Sequence, residues 1–470
     1  MNKDPHQDRE SLDDLLKQYN NLRNGLSGSF IEEDSFEKII DYYDDQEELS
    51  KAMEAAELAI EYFPYSAPLL VKKADLLLAS RKYQEALETL ERAELFDSSD
   101  INLYILKTDA YLAMDMQQNA VTLLEQAINS FEGDEKVELL FELADVYDDY
   151  EEFEKVFDCL MVILTEDPAN EEALYKICFW TDFTGRNEES IRIHLKIIDQ
   201  HPYNELAWFN LAAAYQGLKL YEKAIDAYQY ALAIDEKFDY AYRNIADAYI
   251  RLRKYKEAIE ALEKVLELSK PEEVIYEAIG HCYDRMKNFA QARFHYRKAS
   301  HLNPEDSKIF YKIACSYYNE AQWGSAVKQL EVALKLERNK AEYNLLMGEC
   351  KLQLEDIKEA IQYLSTAVRV RPRNVRGWEA LIRCLYFSEY FAEARQQAMA
   401  ALNHTNQKPV FLYYLSAILF AANKQKDALL YLEKALSASP KSLGKFIQLQ
   451  PSILQKPQVV DLIARYKRKR

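Results

Sequence analysis

Small and large apolar residues alternate along this chain in a register that returns every 34 positions. The repeats start at Glu33, Ala67, Ile101, Val137, Glu171, Glu205, Asp239, Glu273, Ser307, Ala341, Val375 and Pro409, and one interval alone is 36 residues. Within each repeat, apolar positions 4, 7, 8 and 11 have the period of one helix face. Positions 20, 24 and 27 lay out a second helix. Position 20 is alanine in ten of twelve repeats, as at Ala52, Ala224 and Ala292, and position 27 is alanine in nine. Position 8 is also small in most repeats (Ala144, Cys178, Ala246, Gly280, Gly348), whereas position 11 is tyrosine seven times and position 17 aromatic seven times. Small residues facing large ones at fixed spacing make an interlocking helix interface. Proline, which cannot continue a helix, closes six repeats at Pro64, Pro168, Pro202, Pro304, Pro372 and Pro440. The pattern predicts an all-α chain of twelve helix-turn-helix units over residues 33–440.

Turns and ends follow from the same reading. The longer interval holds Gly133, which suits a lengthened turn with left-handed backbone. Only 10 glycines and 12 prolines occur in 470 residues, so few turns are expected to need special backbone angles. Residues 1–32 form a polar segment in which Ser11 to Arg23 carries Leu12, Leu15, Leu16 and Tyr19 on one helix face. Ser11 and Asp14 are spaced like a capping box, and Asn24–Ser29 breaks the helix, which is expected to be a loose cap or mobile. In residues 441–470, Phe446, Ile447, Leu449, Ile453, Leu454, Val459, Val460, Leu462 and Ile463 can cover the last repeat, ahead of a basic tail from Lys467 to Arg470.

The run from Trp208 to Tyr215, followed by Tyr221, Ala224, Tyr228 and Ala231, resembles the tetratricopeptide consensus. So does the set Tyr276, Ile279, Gly280, Tyr283, Phe289, Ala292, Tyr296, Ala299 and Pro304. The departures are local: Lys73 and Lys107 stand at position 7, and Ile40 and Ile382 at position 8. The resemblance covers residues 33–440 and implies a right-handed superhelical solenoid, closed here by a C-terminal helical cap. It implies that first helices line a concave groove and that twelve repeats exceed one superhelical turn. It says little about function, because the shared residues build the scaffold.

Charge changes the picture. The chain carries a net charge of −19. Residues 1–170 hold 41 acidic and 14 basic side chains, and residues 171–470 hold 37 and 45. Position 9 of the first helix, which the resemblance turns toward the groove, is Asp41, Asp75, Asp109 and Asp145 in four successive repeats. Asp44, Asp45, Asp148, Asp149 and Asp182 lie near the same face. At about 10 Å between helices, each Asp–Asp pair repels by only about 0.4 kcal/mol in water. The ladder is therefore either a solvated face or a grip for a basic or amide-rich segment. Further along, Arg243, Arg251, Arg285, Lys308 and Lys312 fall at groove-side positions with Tyr311, Tyr318 and Phe209. The resemblance gives Asn210 and Asn244, at position 6, the role of holding a peptide backbone. The family's carboxylate clamp for chaperone tails is excluded, because Tyr175 and Phe179, or Phe209 and Ala213, stand where its lysine and asparagine belong.

Chemistry of other kinds finds no motif. The seven histidines lack an HExxH spacing, and neither a phosphate-cradling glycine loop nor a GxSxG elbow occurs. No cofactor or metal is expected, nor catalysis. The acidity argues against nucleic acid, and no apolar run reaches the length of a membrane span. The polar amino terminus does not look like a signal peptide, and six scattered cysteines suit a reducing compartment, so a cytoplasmic protein is expected. The expected function is a non-catalytic scaffold or adaptor that binds a protein or peptide in its groove, basic where it meets the N-terminal half. The alternatives are a co-chaperone or assembly factor, and an accessory subunit of a separate enzyme. Unlike charges along the chain can also attract between molecules, giving a weak, salt-sensitive homodimer; the alternative is a monomer.

Overall fold

The computed structural model describes residues 5–25 and 30–468, and every regular element among them is helical. Two compact units divide it, residues 1–241 and 242–470. In the first, α1 (Pro5–Arg23) precedes the pairs α2 and α3 (Glu33–Asp45, Leu49–Tyr62) and α4 and α5 (Ala67–Ala79, Tyr83–Glu94). Next come α6 and α7 (Ile101–Ala113, Gln117–Ile128) and α8 and α9 (Gly133–Asp149, Phe153–Glu166). The pairs α10 and α11 (Glu171–Thr184, Asn187–Gln200) and α12 and α13 (Glu205–Gly217, Tyr221–Ile234) complete it. The division falls in the first turn of α14 (Asp239–Arg251).

The second unit continues with α15 (Tyr255–Leu268), then α16 and α17 (Glu273–Arg285, Phe289–Leu302) and α18 and α19 (Ser307–Asn319, Trp323–Leu336). It ends with α20 and α21 (Ala341–Gln353, Ile357–Val370), α22 and α23 (Val375–Phe387, Phe391–His404), and α24 and α25 (Val410–Ala421, Gln425–Ala438). Beyond Pro440, α26 (Leu443–Leu449) and α27 (Pro457–Arg468) close it.

The repeat pattern explains the packing. All ten position-20 alanines are fully buried. A Cβ added at Gly280 would lie 2.7 Å from the ring of Tyr296, and one at Gly348 would lie 2.6 Å from Cγ of Leu364. Position 8 is thus small because the second helix crosses there in contact. Side-chain caps start many first helices: Ser66, Asp100, Asn170, Asn204, Asp306 and Asn374 each accept a backbone N–H from the first turn. Lys107, the departure at position 7, is buried but paired with Glu94 at 2.5 Å, and Ile40 and Ile382 are buried in full contact.

The turns overturn one expectation. All twelve helix-to-helix turns place repeat position 15 in the left-handed region, from Glu47 (φ 58°) to Asn423 (φ 59°), yet Gly185 is the one glycine among them. Elsewhere the position holds residues such as Arg81, Lys219 and Glu355. The reason is a backbone bond that recompenses the strain: the next N–H reaches back to the position-11 carbonyl, as from Lys82 to Leu77 and from Leu220 to Tyr215, at 2.9 Å each. This closes the helix end without glycine. Gly133 is left-handed as expected (φ 61°) but opens α8 instead of ending a helix, so the longer interval is spent on a 17-residue first helix.

The ends also differ in detail. Helix α1 starts at Pro5, so Ser11 lies in its interior and cannot cap it. Tyr19 is buried against Phe36, Ile39, Ile40 and Tyr43, with Leu15 and Leu16 beside it, so the helix docks on the first pair. Of the expected break, Gly25 (φ 70°) lies within the described residues and 26–29 lie outside them. Phe446, Leu449, Ile453, Val459 and Ile463 are buried on α24 and α25, whereas Leu454 and Val460 remain exposed. Lys469 and Arg470 of the basic tail lie outside the described residues.

Candidate protein-binding face

In the first unit, α2, α4, α6, α8 and α10 present position 9 on one face. Two ion pairs between neighbouring first helices register them: Lys72 on α4 with Asp41 on α2, and Lys176 on α10 with Asp145 on α8 at 3.7 Å. Between these pairs the carboxylates face one another. Partial burial and then the Asp44 carboxylate raise the pKa of Asp75 above its usual range; partial burial and then Asp75 do the same for Asp109. Glu142 on α8 is raised by burial and by Asp109, Asp145 and Glu138, with Lys176 opposing. The expected four-aspartate ladder is thus one continuous acidic run, extended by Asp44 and by Glu142 at position 6, which the position-9 repeat did not reveal. Lys72 and Lys176 offset part of this repulsion, and a further cation between the carboxylates would offset more of it.

The run ends on an aromatic stripe. On α10 the equivalent of the position-9 aspartates is Phe179, and Tyr175 and Phe183 lie four residues to either side. All three are more than half exposed. Phe179 and Phe183 stack at 6.0 Å; Trp180 and Phe153 support them from below, with Phe153 4.8 Å from Phe183. Sequence reasoning met Tyr175 and Phe179 only as residues unsuited to a clamp. Their i, i+4 spacing on the ladder's register was the signal available.

The expected residues farther along are differently placed. Asn210 is 3 % exposed, and its Nδ2 donates to the Leu174 carbonyl at 2.7 Å. It ties α12 to α10, so its amide is spent inside the fold and is not turned to a partner's backbone. Asn244 is half-buried on α14. Arg243 forms a two-pronged pair with Glu272 at 2.8 and 2.9 Å, and Lys312 pairs with Glu277. Tyr311 stacks on Tyr343 at 4.8 Å, and Lys308 is exposed in the first turn of α18 beside its cap Asp306.

Other chemistry is sparsely provided for. Among the described residues no His, Cys, Asp or Glu cluster is arranged to hold a metal, and no helix is long and apolar enough to cross a membrane. All six cysteines are free, and burial pushes the Cys159 and Cys350 thiols up to about 12. His194 is fully buried on α11, its Nδ1 2.7 Å from the Ser190 carbonyl. His295 is a packing residue, stacked on Tyr283 at 5.4 Å.

Comparison with known proteins accords with this architecture. Residues 188–344 match the family profile described as the C-terminal ARM domain of tetratricopeptide repeat protein 21, and residues 341–374 match the tetratricopeptide repeat itself. No curated protein matches. Solved structures similar in fold include a tetratricopeptide protein from Cytophaga hutchinsonii, 15 % identical over 54 % of this chain and 99 % of its own, with a TM-score of 0.44. Another is Cut9 in its complex with Hcn1, 12 % identical over 83 % and 97 %, TM-score 0.37. A third is YrrB, entitled a protein with an unusual peptide-binding site, 20 % identical over 40 % and 96 %, TM-score 0.36.

Proposed function

Because this chain is a tetratricopeptide-repeat protein, we propose that it is a non-catalytic scaffold that binds an extended, basic segment of a partner protein along the first helices of residues 33–184. The observation that carries this reading is the run Asp75, Asp109 and Glu142, whose carboxyls are pushed toward their neutral form by partial burial and then by neighbouring carboxylates, Asp145 among them beside Glu142. A fold gains nothing from setting like charges side by side, and a lysine or arginine between two rungs relieves both. The unpaired thiols suit a reducing compartment, so we place the protein in the cytoplasm.

The test is the variant Asp41→Asn, Asp75→Asn, Asp109→Asn, Asp145→Asn, titrated with a lysine-rich peptide by fluorescence anisotropy. Helicity should be unchanged, because exposed charges contribute little to stability. Affinity should fall by about tenfold or more at low salt, with a shallower dependence on ionic strength. Equal binding by the wild type and the quadruple variant would falsify the assignment. Lowering pH should weaken wild-type binding from a higher pH than ordinary carboxylates would give, because Asp75, Asp109 and Glu142 take up protons early.

A further inference from the structure

The aromatic stripe on α10 adds a second requirement to the partner. We infer that Tyr175, Phe179 and Phe183 are the anchor subsite for an aromatic side chain that follows the basic run of the bound segment. This rests on the proposed reading of the acidic face and specifies its ligand further.

Three observations converge on it. The rings are 65, 61 and 56 % exposed and form one strip along a single helix, a different matter from the lone apolar residues that any surface carries. Phe179 and Phe183 are preorganised: Trp180 is buried beneath them and stacks on Phe153 at 5.4 Å and 23°, so their exposed faces sit on a fixed floor. They continue the acidic register, because Lys176, one residue from Tyr175, spans to Asp145 and lies 4.9 Å over the ring of Phe141. A ligand following the acidic face therefore runs onto the rings.

The surroundings choose the occupant. Nucleic acid and anionic lipid are repelled by the adjoining carboxylates, although both have groups that stack on aromatics. A peptide carrying cations and an aromatic residue satisfies both halves. First helices packed about 10 Å apart and an extended chain rising about 3.3 Å per residue set the spacing: a cation at every third residue, and the anchor one rung beyond. An aromatic side chain buried on such a platform typically dominates the affinity of a small interface.

The experiment uses the full chain and two serine-based peptides with lysine at every third position, carrying phenylalanine three residues past the run at either end. Serine replaces the phenylalanine in matched controls. We expect one orientation to bind at least about tenfold more tightly than its serine control, and Phe179→Ala to abolish that advantage. A 4-nitrophenylalanine anchor should quench Trp180 emission in the wild type, and Trp180→Phe should remove that quenching, a readout independent of whether Phe179→Ala perturbs packing. Equal binding of anchored and control peptides overturns the anchor while leaving the basic-segment reading in place. No binding of any lysine peptide at low salt overturns both. Sedimentation showing a dimer that Phe179→Ala dissolves assigns the stripe to a second copy of the chain and overturns the peptide assignment.

Discussion

The two units solve the same packing problem and treat charge in opposite ways. In the second unit the acids of the first helices are matched within the fold: Glu277 with Lys312 and Glu349 with Arg376 at 2.9 Å, both from neighbouring first helices, Glu342 with Arg371 in the turn after α21, and Glu379 with Lys445 on α26. On the first helices of the first unit, Asp75, Asp109 and Glu142 meet other carboxylates, and Lys72 and Lys176, paired with Asp41 and Asp145, offset that repulsion only in part. One repeat scaffold thus carries a face on which opposite charges pair and a face on which carboxylates adjoin carboxylates. The scaffold permits this because it is held by buried positions 8, 20 and 27, leaving position 9 free to vary.

Acid should separate the units most. Burial pushes the His194 imidazole down to about 4, so the folded first unit holds it neutral while the unfolded chain protonates it near pH 6.5. The unfolded state then binds more protons, and stability falls as pH drops from about 6.5 through 4, by about 3 kcal/mol. The raised carboxylates of the same unit act with the opposite sign, since protonating them relieves repulsion, so His194 has to be isolated. In His194→Leu most of this loss should vanish. Hydrogen exchange at pH 4 should show protection lost around α10 to α12 before the second unit; simultaneous loss in both would break the comparison.

Packing comes next. Gly280→Ala in the second unit should cost about 1–3 kcal/mol, because its Cβ meets the Tyr296 ring and the Ala292 carbonyl. In a repeat array the damage should spread first to α15 through α18. A urea midpoint indistinguishable from wild type would show that the tyrosine has room to move.

Charge itself gives a test of sign. Glu349 is mostly buried, so Glu349→Gln leaves Arg376 short of a partner and should lower stability by about 1 kcal/mol. Asp109→Asn removes one carboxylate from a repelling run and should leave stability within about 0.5 kcal/mol of wild type, on the higher side. Thermal melts at low salt resolve the two. A larger loss in Asp109→Asn than in Glu349→Gln would reverse the assignment of paired and unpaired faces.

The turns should respond least, and alike in both units. Lys219→Gly and Arg253→Gly relax a left-handed Cβ and should each raise stability by up to about 1 kcal/mol, whereas Gly185→Ala should lower it by a similar amount. Destabilisation by both glycine substitutions would mean that these side chains make contacts outweighing the backbone strain.

The sequence alone determined the helical repeat, its register and its small-to-large interface, because a buried helix contact admits few side-chain sizes and the same contact recurs along the chain. Ten of the twelve first helices begin at the residue read from the pattern, and the position-9 aspartates already stood out by repetition. The tertiary structure decided what composition concealed. The eleven left-handed turn residues other than Gly185 were invisible because a backbone hydrogen bond, not glycine, stabilises them. Asn210 reads as a groove residue by position, but the approach of α12 to α10 buries its amide on the Leu174 carbonyl. Arg243 and Lys312 read as groove cations, yet they pair with Glu272 and Glu277, 29 and 35 residues away in the chain. Glu142 and the α10 rings joined the acidic face only when neighbouring helices came alongside. Local periodicity fixes which side of a helix is buried; whether an exposed charge finds its counterpart depends on which helix lies next to it, and that is set by the fold.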